Sequence, residues 1–216
     1  MNPGSSAGER VAVQGPVGPI EVVVEEAPAG GAPGTDAAYA LVCHPHPLYG
    51  GTMDNKVVTT LARALRDCGV PALRFNFRGV GASAGVHDEG RGETLDAAAL
   101  ADWGAARWPG RKLILAGFSF GTYVACRLAL QRASARMILV APPVGRFDFP
   151  PAGGTGGSWL VIQGEADDVV APAAVRDWAL AGNPPPSLVM LPGVGHFFHG
   201  HLHELRDAVI RAIRSG

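Results

Sequence analysis

The sequence has almost no net charge and no long apolar run. Its 18 basic and 19 acidic side chains leave a net charge of −1, which provides no basic surface for nucleic acid or an anionic membrane. No apolar stretch approaches the ~20 residues that a membrane-spanning helix requires. The first ten residues lack the basic and apolar regions of a secretory signal. Together these absences predict a cytoplasmic protein that binds neither nucleic acid nor membrane.

Cysteine is also scarce. The three cysteines, Cys43, Cys68 and Cys126, are odd in number, widely spaced and set among apolar neighbours. No CxxC spacing indicates a metal site or a redox pair. We therefore expect three reduced thiols in the core, as is usual in cytoplasmic proteins.

The sequence does contain a regular succession of short apolar segments and helical segments. The predicted strands are residues 10–14, 20–25, 39–44, 71–77, 113–116, 137–141, 158–163 and 188–191, and the predicted helices are residues 55–67, 93–107, 122–132, 171–180 and 201–213. Strands that alternate with helices form parallel sheets. The pattern predicts an α/β fold with a mostly parallel twisted sheet of about eight strands, an antiparallel hairpin at one edge and helices on both faces.

The length of 216 residues suffices for one sizeable core. We expect a disordered tail over residues 1–9 and a single domain over residues 10–216. Residues 142–157 are rich in proline and glycine and show no helical period. A segment this short predicts an open site without a cap domain.

The pentapeptide GFSFG, residues 117–121, lies between the apolar strand at 113–116 and the helix that follows. A G-x-S-x-G sequence between a strand and a helix forms a sharp turn that exposes the serine hydroxyl above the sheet. Its glycines allow the strand and the helix to approach closely. The serine also lies at a helix N-terminus, where backbone N–H groups favour an oxyanion. Ser119 is the predicted nucleophile.

A serine hydroxyl needs a general base, and the base needs an acid that orients it. Asp167 and Asp168 follow the predicted strand at 158–163, and His196 follows the strand at 188–191. The carboxyl ends of parallel strands meet at one edge of the sheet. We expect His196 and one of the two aspartates to lie near Ser119, while either aspartate alone could instead serve as a turn former or helix cap.

Four motifs together resemble a known family. They are CHPHPxxGGxMxNK at residues 43–56, FNFRGxGxSxG at 75–85, GxSxG at 117–121 and HFF at 196–198. In this combination the chain resembles the small, lid-less bacterial serine hydrolases of the α/β-hydrolase superfamily, and it is similar to dienelactone-hydrolase-like esterases. The resemblance implies hydrolysis of a small ester, lactone or thioester through an acyl-enzyme on Ser119, with a small-molecule acyl substrate and no cofactor.

The resemblance also implies roles for individual residues. The family pattern G-x-x-D-x-x-V/P matches Asp167 as the acid and leaves Asp168 as an exposed neighbour. It places one oxyanion-hole N–H on Phe120 and the other on His46, with Leu48 as the second choice. Pro45 and Pro47 have no N–H, so neither can donate there.

Some residues remain open between a site and a structural role. Leu48, Tyr49 and Phe197 are candidates for the substrate pocket. Phe198 and Trp103 could also shape it, although each of the four aromatic residues is as readily a core residue. The histidines at 44, 46, 196, 199, 201 and 203 could hold a metal, but no nearby carboxylate completes a common ligand set, and we predict no metal.

Arg78 could bind an acidic substrate, although pairing with Glu93 or Asp102 is favoured. A peptidase or lyase is disfavoured because no cap or propeller is present to select larger substrates. The alternative to an enzyme is a non-catalytic binding protein that retains the fold.

Overall fold

The structure, a computed structural model, describes residues 8–28 and 38–215. Its elements are β1 (Glu9–Gly15), β2 (Gly18–Glu25), β3 (Ala38–Cys43), α1 (Lys56–Asp67), β4 (Ala72–Phe75), α2 (Arg91–Arg107), β5 (Lys112–Phe118), α3 (Phe120–Ala129), β6 (Arg136–Val140), β7 (Ser158–Gly164), α4 (Pro172–Leu180), β8 (Ser187–Leu191) and α5 (Leu202–Arg214). A single 3₁₀ turn, Pro47–Tyr49, follows β3. Most of the predicted tail lies outside the described residues, and Glu9 already belongs to β1.

All eight strands form one sheet in the order β1-β2-β4-β3-β5-β6-β7-β8. β1, β2 and β4 pair antiparallel, and every other neighbouring pair is parallel. The predicted eight-stranded, mostly parallel sheet with an edge hairpin is therefore confirmed. The carboxyl ends of β3, β5, β7 and β8 lie along one edge, which gathers the loops that follow these strands.

Two apolar cores cover the two faces of the sheet. Leu113 and Leu115 of β5 pack on the face covered by α2, α3 and α4, whereas Ile114 and Ala116 pack on the face covered by α1 and α5. Strands buried on both faces need apolar residues at consecutive positions. This explains why the predicted strands are continuous apolar runs.

Buried polar groups anchor the loop that connects β3 to α1. The guanidinium of Arg74 contacts the carboxylate of Glu25 at 2.8 Å and the carbonyl oxygen of Met53 at 2.7 Å. The Asn76 side chain accepts the N–H of Met53 at 2.9 Å. Both polar groups of the Met53 backbone are thus bound by side chains at the end of β4, which fixes the end of the loop.

Helix α1 begins at Lys56, one residue later than predicted. Asn55, not Asp54, is the N-cap, and its side chain accepts the N–H of Val57. Asp54 instead forms ion pairs with Arg10 and Arg74. The Asp54 carboxylate is thus bound by two arginines and is not available to cap the helix.

Arg78 pairs with a carboxylate, but the predicted partners are wrong. Its Nε and Nη2 atoms each lie 2.8 Å from an oxygen of Asp96. Glu93 instead accepts the N–H groups of Asp88 and Gly90, while Asp102 lies on the exposed face of α2. Because Arg78 and Asp96 are both buried, they connect the turn after β4 to α2.

Residues 142–157, between β6 and β7, contain turns and no helix. All three cysteines are free and buried. Among the described residues, none of the helices has the length and apolar character needed to cross a bilayer.

Candidate active site

The turn between β5 and α3 holds Ser119 in an unusual backbone conformation. Its φ of 52° and ψ of −123° lie in a region that non-glycine residues rarely adopt, at a cost of roughly 1–3 kcal/mol. Backbone bonds stabilise the turn, because the Ser119 N–H donates to Val140 and its carbonyl accepts the N–H and the hydroxyl of Thr122. The hydroxyl is thereby presented at the sheet edge.

Close backbone approaches explain the two glycines of the pentapeptide. A Cβ on Gly117 would lie 2.5 Å from the backbone of Gly121, and one on Gly121 would lie 2.3 Å from the carbonyl oxygen of Cys43. Real Cβ atoms do not tolerate such distances. Strand β5, helix α3 and the end of β3 can therefore meet at Ser119 only if both positions lack a side chain.

His196 lies between Ser119 and Asp167. Its Nε2 atom is 3.1 Å from the Ser119 hydroxyl oxygen, and its Nδ1 atom is 2.8 Å from a carboxylate oxygen of Asp167. The imidazole is only 4% exposed and packs against the ring of Phe118. Three side chains from three different strand ends thus form one hydrogen-bonded chain.

Of the two neighbouring aspartates, only Asp167 contacts His196. Asp168 is exposed. Burial raises the pKa of Asp167, but hydrogen bonds from His196, the Val170 N–H and Gln163 outweigh it, and the pKa is lowered overall. The acid is therefore held as a carboxylate.

Gln163 is a contact of the site that sequence reasoning missed. Its amide nitrogen donates to Asp167 at 2.9 Å and to the Gly164 carbonyl at 3.1 Å. The available signal was a polar side chain at the end of an apolar strand, where burial demands a partner.

The loop after β3 contributes N–H groups near Ser119. Leu48 donates its N–H to His46 Nδ1 at 3.2 Å, and the N–H groups of Tyr49, Gly50 and Gly51 all bond to carbonyl oxygens at the start of the same turn. Within the described part of the chain, the His46 N–H has no acceptor. Among the backbone N–H groups of residues 46–51, that of His46 is therefore the one available to a ligand.

Phe120 supplies a second available donor. It is the first residue of α3, and N–H groups of the first helical turn have no partner within the helix. The N–H of His46 and the N–H of Phe120 belong to residues that both line the cavity at Ser119.

A cavity of about 560 Å³ opens next to Ser119 and His196. Of the predicted pocket residues, Tyr49 and Phe197 line this cavity, whereas Leu48 lines a neighbouring depression. The segment between β6 and β7 supplies part of the wall through Pro143, Arg146 and Phe147. The cavity walls are mostly apolar.

Two further aromatic candidates lie away from this cavity. Trp103 packs beside the guanidinium of Arg107 on α2, and Phe198 is fully buried in the core. No three His, Cys, Asp or Glu side chains among the described residues are grouped as metal ligands would be.

Comparison with known proteins gives a consistent result. Residues 46–155 match the family model described as serine aminopeptidase, S33. A lid-less α/β serine hydrolase from Xanthomonas campestris is 44% identical, with a TM-score of 0.89 over 98% of this chain and 96% of that protein. An α/β serine hydrolase homologue from Coxiella burnetii is 40% identical, with a TM-score of 0.89 over 97% and 99% of the two chains.

A protein of Rickettsia prowazekii described as uncharacterised is 36% identical over 205 residues, which cover 90% of this chain and 84% of that protein. The fold, the sequence motifs and these relatives agree. The chain therefore belongs to the α/β-hydrolase superfamily and has the serine hydrolase fold without a lid.

Proposed function

We propose that this hydrolase is a carboxylic ester hydrolase that cleaves a small ester, lactone or thioester through an acyl-enzyme on Ser119. The observation that carries the proposal is the hydrogen-bonded chain from the Ser119 hydroxyl through His196 to Asp167, with distances of 3.1 and 2.8 Å. A nucleophile, a base and an orienting acid in this order form the constellation of acyl transfer.

In the first step, the Ser119 oxygen attacks the substrate carbonyl carbon while His196 Nε2 takes the hydroxyl proton. The Asp167 carboxylate holds the proton on Nδ1 and stabilises the imidazolium that forms. Its four hydrogen-bond donors, which include the N–H groups of Val169 and Val170, keep it ionised and in place. Asp167 thus orients the base without accepting its proton.

The negative charge that develops on the carbonyl oxygen needs donors that are already in place. The N–H groups of Phe120 and His46, which both line the cavity at Ser119, are available donors. Because the Leu48 N–H is bonded to His46 Nδ1, the structure favours His46 over Leu48 for this role. His196 then protonates the leaving group, and a water molecule attacks the acyl-enzyme with the same base.

The cavity supports a substrate of modest size. Its volume of about 560 Å³ and its mostly apolar wall fit an uncharged acyl group. The three buried, unpaired cysteines support a location in the reducing cytoplasm.

A fluorophosphonate probe tests the nucleophile. We expect it to label the wild type at Ser119 and to leave Ser119→Ala unlabelled. Ser187→Ala, at the exposed start of β8, is the matched control and should label normally. A folded wild type without labelling would support the non-catalytic binding protein instead.

A substrate panel tests the bond that is cleaved. p-Nitrophenyl esters of increasing acyl length, p-nitrophenyl thioesters and aminoacyl p-nitroanilides should separate an esterase from a peptidase. We expect hydrolysis of the esters and little hydrolysis of the anilides. Preference for the anilides, or activity that survives in Ser119→Ala, would contradict the proposal.

A further inference from the structure

His44 is a buried histidine that the mechanism above does not use. It is fully buried, and both ring nitrogens contact the backbone. Its Nε2 atom lies 2.9 Å from the N of Phe77, and its Nδ1 atom lies 2.6 Å from the carbonyl oxygen of Pro45.

These two backbone partners determine where the imidazole carries its proton. The Phe77 N–H can only donate, so Nε2 must accept. The Pro45 carbonyl can only accept, so Nδ1 must carry the proton and donate it. His44 is therefore one neutral tautomer. Burial lowers its pKa to about 4, which agrees with this assignment.

The Pro45 carbonyl belongs to the same peptide unit as the His46 N–H. This peptide is planar and trans, so its C=O and N–H point in opposite directions. A hydrogen bond that fixes the carbonyl on the buried side also fixes the direction of the N–H on the other side. Pro45 and His46 both line the cavity at Ser119.

Nearby contacts restrict the same peptide further. The His46 carbonyl accepts the N–H groups of Tyr49 and Gly51. A Cβ on Gly51 would lie 2.1 Å from the Pro45 oxygen, so the chain folds back tightly against this carbonyl. Without the bond from His44, the Pro45 oxygen would be a buried acceptor that lacks its donor.

We propose that His44 is a positioning residue of the oxyanion hole: by holding the Pro45 carbonyl, its imidazole directs the His46 N–H toward the substrate oxygen. The inference rests on the proposed function. His44 touches neither the substrate nor the reacting atoms, and it acts through the peptide that follows it. Because the packing of its ring against Phe77 would be served by any flat apolar side chain, the two nitrogens mark the additional role.

A pair of substitutions separates the two hydrogen bonds of the ring. His44→Asn places an amide near the position of Nδ1 and can still donate to the Pro45 carbonyl. His44→Gln places its amide near the position of Nε2 and keeps only the acceptor for the Phe77 N–H. The exposed His203→Gln on α5 is the control for the substitution itself.

We expect His44→Gln to lower kcat about 10²- to 10³-fold, as does loss of one oxyanion donor, with little change in KM. His44→Asn should recover most of this loss, and His203→Gln should behave as the wild type. If kcat fell equally in the Asn and Gln variants, and in proportion to the decrease of their unfolding midpoints, the role of His44 would be structural alone. That result would overturn the proposal.

Thiono ester substrates provide a readout that structural damage does not imitate. Sulfur accepts hydrogen bonds poorly, so an intact oxyanion hole should favour the oxygen ester over its thiono analogue. We expect this preference to collapse in His44→Gln and to persist in His44→Asn. An unchanged preference in His44→Gln would overturn the proposal.

A measurement on the wild type covers the case in which neither variant folds. On phosphonylation of Ser119, the amide resonances of His46 and Phe120 should shift downfield together, and the Nδ1 proton of His44 should remain visible. A His46 resonance that does not move would refute the positioning role while leaving the nucleophile intact. Failure of the wild type to react with the probe would instead refute the proposed function and the inference built on it.

Discussion

Two segments at the same edge of the sheet contribute to the wall of the cavity, and they are built very differently. Residues 44–55 are held by buried polar contacts, including those of His44, Arg74 and Asn76 to backbone atoms. Residues 142–157 contain no helix, and Arg146 near the middle of this segment is exposed. In the proposed mechanism the first wall, residues 44–55, carries the donor to the oxyanion, and the second wall, residues 142–157, faces the rest of the substrate.

The difference suggests separate tasks for the two walls: the first stabilises the transition state, and the second binds the acyl group. Groups that stabilise a transition state must be in place before the reaction begins, so the first wall requires many restraints. A wall that only accommodates an acyl group needs shape and apolar surface, which many sequences provide. Changes in the first wall, in His196 and in Asp167 should therefore affect kcat, whereas changes in the second wall should affect KM.

The largest expected effect concerns Asp167. Asp167→Asn preserves the volume but removes the carboxylate that holds the His196 proton, and we expect kcat to fall about 10⁴-fold. Asp168→Asn, at the exposed neighbouring position, is the matched control and should stay near the wild-type rate. Steady-state kinetics on a p-nitrophenyl ester measure both. Equal effects at the two positions would contradict the assignment of the acid.

A comparison of glycines from the two walls tests the contrast directly. Gly51→Ala places a Cβ against the Pro45 carbonyl, and the resulting shift of the His46 N–H should lower kcat about 10²-fold or more. Gly145→Asn introduces its side chain where no atom lies within 4 Å, and asparagine tolerates the positive φ of 84°.

We therefore expect Gly145→Asn to keep kcat and the melting temperature close to the wild-type values. Kinetics and thermal unfolding should be measured on the same preparations of both variants. If Gly145→Asn lowered kcat as strongly as Gly51→Ala, the two walls would not differ in the way proposed.

The buried His44 of the first wall should also make the fold sensitive to acid. His44 has a pKa of about 4 in the folded protein against an ordinary value of 6.5, because burial penalises its charged form. Its contribution to stability is complete above pH 6.5 and is lost as the pH falls toward 4. The difference corresponds to about 3 kcal/mol.

Urea unfolding at several pH values checks this expectation. Between pH 6.5 and 4 the free energy of unfolding of the wild type should fall more steeply than that of His44→Gln. Parallel curves for the two proteins would show that His44 does not titrate in this range.

The smallest expected effect lies in the second wall. Phe147→Ala removes apolar surface from the cavity, and we expect KM for long-chain p-nitrophenyl esters to rise a few fold while kcat for the acetate changes little. Covering one methylene group of a bound acyl chain is worth roughly 0.8 kcal/mol, a factor of about four in KM, which sets this scale. A loss of kcat for every ester would instead place Phe147 among the residues that support the chemistry.

Much of the fold could be predicted because buried parallel strands are continuous apolar runs. Leu113 to Ala116 could be recognised as a strand on that basis, and the alternation with helices predicted the sheet. Ion-pair partners were harder to predict from the sequence. Glu93 and Asp96 lie one turn apart on the same face of α2, so helical periodicity did not separate them, and Glu93 is bound to the N–H groups of Asp88 and Gly90.

The same limit applied at the site. The sequence indicated Ser119 and His196 because each follows a strand within a recognisable motif, and the structure places them 3.1 Å apart. The proposed role of His44 could not be predicted, since it depends on a hydrogen bond from the distant Phe77 and on the direction of one peptide plane. The contact of Gln163 with Asp167 had only a weak sequence signal, a polar residue at the end of an apolar strand. Leu48 was named for the pocket, but the 3₁₀ turn directs it to the neighbouring depression.

The short segment between β6 and β7 has a consequence for the timing of the reaction. An enzyme that closes a lid adds opening and closing steps, and these often limit its turnover. With no helix at this position, we expect water to reach the proposed acyl-enzyme without waiting for a conformational change. We therefore expect turnover to be insensitive to added viscogen and to slow in heavy water, as it would if the proposed proton transfer through His196 limited the rate.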